Sequence, residues 1–343
     1  MDVSKPAPRN SKFASIDIGS HTIRLLIAEL EEDETLRPLC IERRITRLAG
    51  NFQEGETLKP LGITTSIEAL REYAYLLKRF RVGSLACGAT GVVRRARNAN
   101  DFLHMVKEST GIPASILSEE SEAFLSAKGC LSVLRCRQGK ILAFDLGGSS
   151  TEFLLTEPDR TEPLWSTSVF IGAATLTERF LTQDPPTLLH LAEASNDVRE
   201  TIDSTLSDAK KLLAVCGERP FPFQLVGTAG TVTTLAAMYL NMEPYVPYRV
   251  NGLVLTQNWL AAIIDFLTLL PLAYRRNLPG LEEGREDIIL GGALIVREIL
   301  QGLGQTHLTV TDGGLLEGLL LDHVEKESGC RPALISPLTW RLQ

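Results

Sequence analysis

Two stretches of the chain, FASIDIGSHTIRLLIAEL from Phe13 and ILAFDLGGSSTEFLLTEP from Ile141, align without a gap and bring Asp17 onto Asp145. In each, an apolar run ends at the aspartate, a Gly/Ser-rich turn follows and a second apolar run leads away, which reads as strand, tight turn, strand. A duplicated opening of this kind predicts two lobes built alike. At 343 residues the chain is long enough for two domains with separate cores.

The elements downstream of the two copies are similar in kind. After the first come a strand over Leu36–Leu48 and a helix near Ser66–Arg81, where Thr65 and Glu68 have capping-box spacing and Ile67, Leu70, Ala74 and Leu77 share a face. A strand near Leu85, a helix from about Asn100, a strand Ser115–Leu117 and a helix from about Glu119 complete that lobe. After the second copy come a strand at Leu164, helices over Ala173–Leu181 and Leu189–Val215, and a strand Phe223–Val226. Helices near Thr231–Leu240, Asn258–Leu270 and Arg285–Gln301, a strand His307–Val310 and a last helix Leu315–Val324 come next. The expected class is α/β, with two mixed-sheet lobes, about residues 12–135 and 136–328, facing a central cleft that holds the ligand between the hairpins. The last helix, about 314–326, is left open to pack back on the first lobe.

A composition of 44% hydrophobic and 22% charged residues excludes a disordered, collagen-like or coiled-coil chain. The net charge of −7 gives no general attraction to nucleic acid or to an anionic membrane, so an anionic ligand must be held by local donors. The opening MDVSKPAPRNSK lacks the apolar core of a signal peptide. The most apolar stretch, Leu260–Ala273, contains Asp265 and Pro271 and falls short of the ~20 residues that span a bilayer. Six scattered cysteines (Cys40, Cys87, Cys130, Cys136, Cys216, Cys330) include no CxxC pair. A cytoplasmic protein with reduced thiols, no nucleic acid and no membrane partner is expected.

In the turn Asp145-Leu-Gly-Gly-Ser-Ser-Thr151, glycines let the backbone approach a ligand while successive N–H groups and hydroxyls point at one spot, which suits phosphate. Gly147, Gly148, Ser149, Ser150 and Thr151 are therefore candidate binding residues, with Gly19, Ser20 and His21 their counterparts in the first lobe. An aspartate before such a turn repels phosphate unless a divalent cation lies between them or it orients water, so Asp17 and Asp145 point to Mg2+, with Mn2+ as an alternative. The turn Val226-Gly-Thr-Ala-Gly-Thr231, between strand and helix, adds Gly227, Thr228 and Gly230 as an anion site at a helix N-terminus. A further turn, Thr311-Asp-Gly-Gly314, precedes the last helix.

These residues resemble the exopolyphosphatase and guanosine pentaphosphate phosphohydrolase (Ppx/GppA) family, a branch of the actin/sugar-kinase/Hsp70 superfamily. The resemblance rests on FASIDIGS at Phe13, GATGVVRRARNANDF at Gly88, ILSEESEA at Ile116, FDLGGSSTEF at Phe144, LVGTAGTVTTLA at Leu225, GREDIILGGALIV at Gly284 and TDGGLLEGLL at Thr311. It implies two ribonuclease-H-like lobes of the actin-like ATPase fold in a short, two-domain form. It further implies hydrolysis of a terminal phosphoanhydride bond, with Glu122 activating the attacking water, Arg94 binding phosphate, and Glu152 joining Asp145 in catalysis and in holding the metal. Arg95 and Arg97 read as solvated or surface-paired. The chain departs from the family at His21, Glu119, Ser121 and Ser149, where Asn, Gly, Glu and Gly are usual, and at Leu316, where an arginine is usual.

The expected activity is that of an exopolyphosphatase releasing orthophosphate from inorganic polyphosphate. The alternative is removal of the 5′ phosphate from guanosine pentaphosphate. More distant readings are an ATP-dependent kinase on the same fold, which would place an aspartate base after the entry to the second lobe, and a nucleotide sensor, which would have lost Glu122 or Asp145. A homodimer is left open.

Overall fold

The computed structural model describes residues 11–50, 52, 56–134, 139–157, 163–214, 223–330 and 333–334. The expected lobe boundary at 135/136, the helix end at Val215, Cys136 and Cys216 lie outside them. The described chain divides into two compact units, one running up to Val133 and resuming at Gly313, the other spanning Leu134–Asp312.

The first unit contains β1 (Lys12–Ile18), β2 (Thr22–Leu30), β3 (Thr35–Ile45), α1 (Pro60–Phe80), β4 (Ser84–Ala89), α2 (Val92–Arg95), α3 (Ala99–Thr110), β5 (Ser115–Ile116) and α4 (Glu119–Val133). The second holds β6 (Lys140–Leu146), β7 (Thr151–Thr156), β8 (Trp165–Val169), α5 (Ala173–Phe180), α6 (Leu188–Ala214), β9 (Phe223–Thr228), α7 (Ala229–Tyr239), α8 (Pro247–Val250), β10 (Val254–Thr256), α9 (Gln257–Leu269), α10 (Leu272–Arg275), α11 (Ile289–Leu303) and β11 (His307–Val310). The chain then returns to the first unit with α12 (Leu315–Ser328) and β12 (Ala333–Leu334).

The two sheets have the orders β12-β3-β2-β1-β4-β5 and β10-β11-β9-β6-β7-β8. Without the edge strands β12 and β10, each places its own strands third, second, first, fourth, fifth, which is the ribonuclease-H-like arrangement. Each opens with an antiparallel hairpin, β1 with β2 and β6 with β7, and each first strand also pairs in parallel with the fourth. This is the mixed α/β architecture that the repeat predicts. Helices of both units cover the apolar strands, and in the second unit one large core joins Phe144, Phe153 and Leu225 to apolar residues of α6, α7, α9 and α11.

In the first unit α12 covers the sheet face of Phe13, Ser15 and Asp17, and the Ser15 hydroxyl donates to the Leu316 carbonyl. Helix α12 packs in turn on α4, and glycine is required at the crossing: a Cβ at Gly318 would lie 1.7 Å from the Leu125 carbonyl oxygen, and one at Gly129 would lie 1.8 Å from that of Gly314.

Three local expectations are corrected. Helix α1 starts at Pro60, whose fixed φ suits a first helical position, so Thr65 lies inside the helix and forms no capping box with Glu68. The Thr65 hydroxyl donates back to the Leu61 carbonyl instead. Its buried face is Ser66, Ala69, Leu70 and Tyr73, with Ile67, Ala74 and Leu77 only half-buried. The helix expected from Arg285 starts at Ile289, because residues 282–288 form tight turns closed by Arg285 N–H on Glu282 O and Ile288 N–H on Arg285 O. Among the described residues, Cys40, Cys87, Cys130 and Cys330 form no disulfide, and no helix is long and apolar enough to cross a membrane.

Candidate functional site

In the first unit β1, β4 and β5 run parallel, with Asp17 level with Gly88 and Gly88 level with Ser115. The turn after β1, the β4–α2 connection and the β5–α4 connection therefore gather at the carboxyl end of the sheet, where open α/β folds bind ligands. Hydrogen bonds lock them together: Thr90 N–H to the Ile18 carbonyl at 3.2 Å, Leu117 N–H to the Ala89 carbonyl at 3.0 Å, and Val92 N–H to the Ser20 hydroxyl at 3.2 Å. Gly19 closes the turn on the Thr22 carbonyl at 3.0 Å, and the carbonyl of buried His21 accepts from Thr46 and Arg47. Ser20 and His21 thus fix the turn in place.

Two ion pairs organise this end. The Asp17 Oδ2 accepts from Arg24 Nε at 3.1 Å and Nη2 at 2.8 Å, whereas its Oδ1 is buried and accepts no hydrogen bond. Arg94 on α2 donates through Nη1 to the Leu117 carbonyl at 3.0 Å and to Glu122 Oε2 at 2.6 Å. Glu122, in the first turn of α4, is only 5% exposed. The other edge of the Arg94 guanidinium, Nε and Nη2, is buried without a hydrogen-bond partner, with Glu119 3.5 Å from Nη2. Exposed Glu120 has its pKa lowered by its own backbone N–H and the Ser118 hydroxyl, as expected of an acid at a helix start. Burial, with the Asp17 charge nearby, pushes the Cys87 thiol far up and leaves it inert.

The second unit places Asp145 directly opposite Glu152 on β7, and level with Thr228 on β9. Glu152 in turn faces Ser168 on β8, whose hydroxyl donates to Oε1 at 3.0 Å. Opposed residues on antiparallel strands have Cβ atoms about 4.5–5.5 Å apart, so the two carboxylates share one spot. The turn between them closes with Gly147 N–H on the Ser150 carbonyl, and the first amides of α5 bind the carbonyls of Gly147 and Gly148. Thr151 donates to the Ile171 carbonyl at 2.6 Å. Gly172 must be glycine, since a Cβ would lie 2.5 Å from Gly148. Ser149 and Ser150 are buried within this frame.

At the β9–α7 turn Thr228 is extended, Ala229 has φ 71° and α7 begins, presenting the amides of an 11-residue helix. Gly230 is packed against the Arg285 guanidinium, which would lie 2.1 Å from a Cβ there. Arg285 is only 5% exposed and is ion-paired with Glu282. Gly227 plays a different part: it sits in β9 beneath the Phe144 ring, where a Cβ would come within 2.9 Å, and so is a packing glycine. The Thr311-Asp-Gly-Gly turn is held at Thr311 and Asp312 by the Asn251 side chain, at 3.1 and 2.7 Å.

The donor set can be tested against a divalent cation. Asp145 and Glu152 with flanking Thr228 and Ser168 are all-oxygen ligands of the hard type, and magnesium takes one or two carboxylates before completing its shell with water and substrate phosphates. They fit. Asp17 lies in the other unit, with its charge compensated by Arg24. Among the described residues no group of three or more His, Cys, Asp or Glu is placed to hold a metal by itself.

Two arginines at these sites, Arg24 and Arg285, lie inside the stretches quoted above but do not stand out there as candidate site residues. Arg24 stands seven residues after Asp17 as Glu152 does after Asp145, so comparing that column of the repeat finds it. Arg285 lies in an irregular turn with no periodic signal. Leu316, the position of the family's arginine, is fully buried with Phe13, Leu26 and Val133, which makes that departure a core residue.

The sequence pattern of the Ppx/GppA phosphatase family matches residues 26–327. The chain is 32% identical over 328 residues to Exopolyphosphatase 2 of Mycobacterium tuberculosis, covering 91% of this chain and 98% of that protein. It is 31% identical over 327 residues to the bifunctional 3-dehydroquinate synthase/phosphatase of Fusobacterium nucleatum, covering 92% of this chain but spanning only 47% of that longer protein. Among solved structures, the Aquifex aeolicus Ppx/GppA family member superposes with a TM-score of 0.74 at 33% identity, over 92% of this chain and 98% of its own. An exopolyphosphatase from Cytophaga hutchinsonii, at 22% identity, shares the fold with a TM-score of 0.82 over 92% of this chain and 98% of its own. With the match running through most of the length of both units, the chain belongs to the Ppx/GppA phosphatase family.

Proposed function

We propose that the protein is an exopolyphosphatase, which hydrolyses the terminal phosphoanhydride bond of inorganic polyphosphate. The broader class, a phosphoanhydride hydrolase, follows from the family and its curated exopolyphosphatases. The observation that carries the finer reading is the division of labour within Arg94: one nitrogen holds Glu122, while the Nε/Nη2 edge is buried and without a hydrogen-bond partner. That two-donor edge is the one a phosphate oxygen pair binds best. Polyphosphate bound there lies beside a carboxylate whose rotamer Arg94 has already fixed.

In this mechanism Glu122 accepts a hydrogen bond from a water and orients its oxygen toward the terminal phosphorus. The new P–O bond forms as the bridging P–O bond breaks, the water's proton passes to Glu122, and orthophosphate leaves a chain one unit shorter. Most of the acceleration comes from positioning and charge neutralisation. Asp145 and Glu152 would hold Mg2+ or Mn2+, which when bound neutralises phosphate charge. The amides at the tip of the 147–151 turn, beyond Gly147 whose N–H closes it, and those of the α7 N-terminus bind phosphate oxygens.

The test is phosphate release from long-chain polyphosphate, guanosine pentaphosphate and ATP, each with magnesium and with excess chelator. Magnesium-dependent release from polyphosphate is the expected result. Release from guanosine pentaphosphate alone would transfer the same chemistry to the nucleotide substrate, and full activity in chelator would remove the metal role of Asp145 and Glu152.

A further inference from the structure

The segment Leu117–Glu122 wraps the Arg94 guanidinium and treats its two edges differently. On one edge Nη1 donates to the Leu117 carbonyl at 3.0 Å and to Glu122 Oε2 at 2.6 Å. On the other, Glu119 Oε1 stands 3.5 Å from Arg94 Nη2 and 3.6 Å from Nη2 of Arg95, the next residue on α2. Both separations exceed the ~2.7–3.2 Å of an N–H···O bond, and Nε and Nη2 of Arg94 have no hydrogen-bond partner. Glu119 thus supplies Arg94 with a counter-charge and leaves its donors unfilled.

The two carboxylates also differ in freedom. Glu119, the first residue of α4, has 48% of its side chain exposed, against 7% for Glu122. A half-exposed glutamate turns its carboxylate into water by a change of rotamer, whereas a buried one cannot leave its arginine without stranding a charge. Arg94 Nη2 is itself buried, so a phosphate that takes Nε and Nη2 arrives where the Glu119 carboxylate stands. Two anions on one guanidinium edge repel.

We propose that Glu119 is a competitor built into the site: its carboxylate leaves the Arg94 edge when the terminal phosphate of the substrate binds and returns as orthophosphate departs, so that it sets the affinity for substrate and product alike. This rests on the exopolyphosphatase reading, in which that edge binds phosphate. The substrate wins the exchange because two phosphate oxygens fill the Nε/Nη2 fork, which the single oxygen of Glu119 does not. Orthophosphate offers the fork the same oxygens, and a carboxylate waiting beside it weakens product inhibition.

The experiment compares the wild type, Glu119→Gln and Glu120→Gln in phosphate release from long-chain polyphosphate with magnesium, with orthophosphate added as inhibitor. Glu119→Gln keeps the size of the side chain and removes its charge. It is expected to lower KM about three- to fivefold, the worth of a well-placed exposed ion pair, and to lower the inhibition constant of orthophosphate by the same factor. The kcat should stay within about twofold, because the competitor is lost for ground state and transition state alike. An ion pair that served structure alone would instead reduce the melting temperature of Glu119→Gln and leave both constants in place. Glu120→Gln removes the same charge one residue further on and should leave both within about twofold. A KM or an inhibition constant that stays unchanged or rises in Glu119→Gln, or an equal fall in Glu120→Gln, overturns the competition. A wild type that leaves polyphosphate intact overturns the exopolyphosphatase reading, and calorimetric titration of orthophosphate into the wild type and Glu119→Gln then decides the competition by itself.

Discussion

The role proposed for Glu122 is supported by its burial and by its ion pair with Arg94. A helix-start glutamate that served only the helix dipole would be exposed, as Glu120 is. Replacing Glu122 by Gln is therefore expected to lower kcat by about 10²–10⁴-fold, the usual worth of a general base, with near-normal thermal stability. Glu120→Gln in the same steady-state assay should cost little. The carboxylate pair of the second unit yields a different signature. Glu152→Gln removes one of two opposed charges, and a magnesium titration should show half-maximal activity moved up by at least about tenfold. The sequence exposed Asp17, Asp145 and Glu122 because each lies in a short motif. It hid the Asp17–Arg24 and Arg94–Glu122 pairings, since cross-strand register and side-chain direction belong to tertiary structure.

At the scale of elements, the crossing of α4 and α12 depends on glycine. A methyl group at Gly318 meets the backbone of Leu125, which has no rotamer to yield, so Gly318→Ala is expected to cost about 1–3 kcal/mol in chemical denaturation. Helix α12 also carries a pH response. His323 is half-buried, lies edge-on to Phe13 and meets the Ser84 hydroxyl at 2.8 Å. Burial lowers its pKa below the ordinary 6.5, against the pull of Glu327 and Asp322. Below pH 6.5 the unfolded chain therefore binds a proton that the folded chain resists, so the contribution of His323 is full above 6.5 and is lost as pH falls through the lowered value. Melting temperatures between pH 8 and 5 should show this loss, and His323→Gln should flatten it. The helices legible in advance were those of eight residues or more, whereas α2, α8 and α10, of 4 residues each, give too little pattern. Thr65 and Glu68 mimic a cap more than a turn inside α1, whereas Pro60 sets the boundary. The short β10 (Val254–Thr256) gives too little pattern to see.

For the molecule as a whole, the duplicated hairpin was enough to read two lobes of one architecture, because Asp17 and Asp145 each end the central strand of their sheet. The assignment of α12 was not legible in the same way. An amphipathic helix does not announce which sheet it will cover, and only the contacts of Leu316 and Leu320 with Phe13 and Leu26 settle it. That placement has a consequence for biosynthesis. The Ser15 hydroxyl waits for a carbonyl 301 residues away, while the second unit is one uninterrupted stretch, Leu134–Asp312. Chains emerge amino end first and fold unit by unit. The lobe that is translated second can thus finish its core while the first still lacks a helix, so the order of completion reverses the order of synthesis.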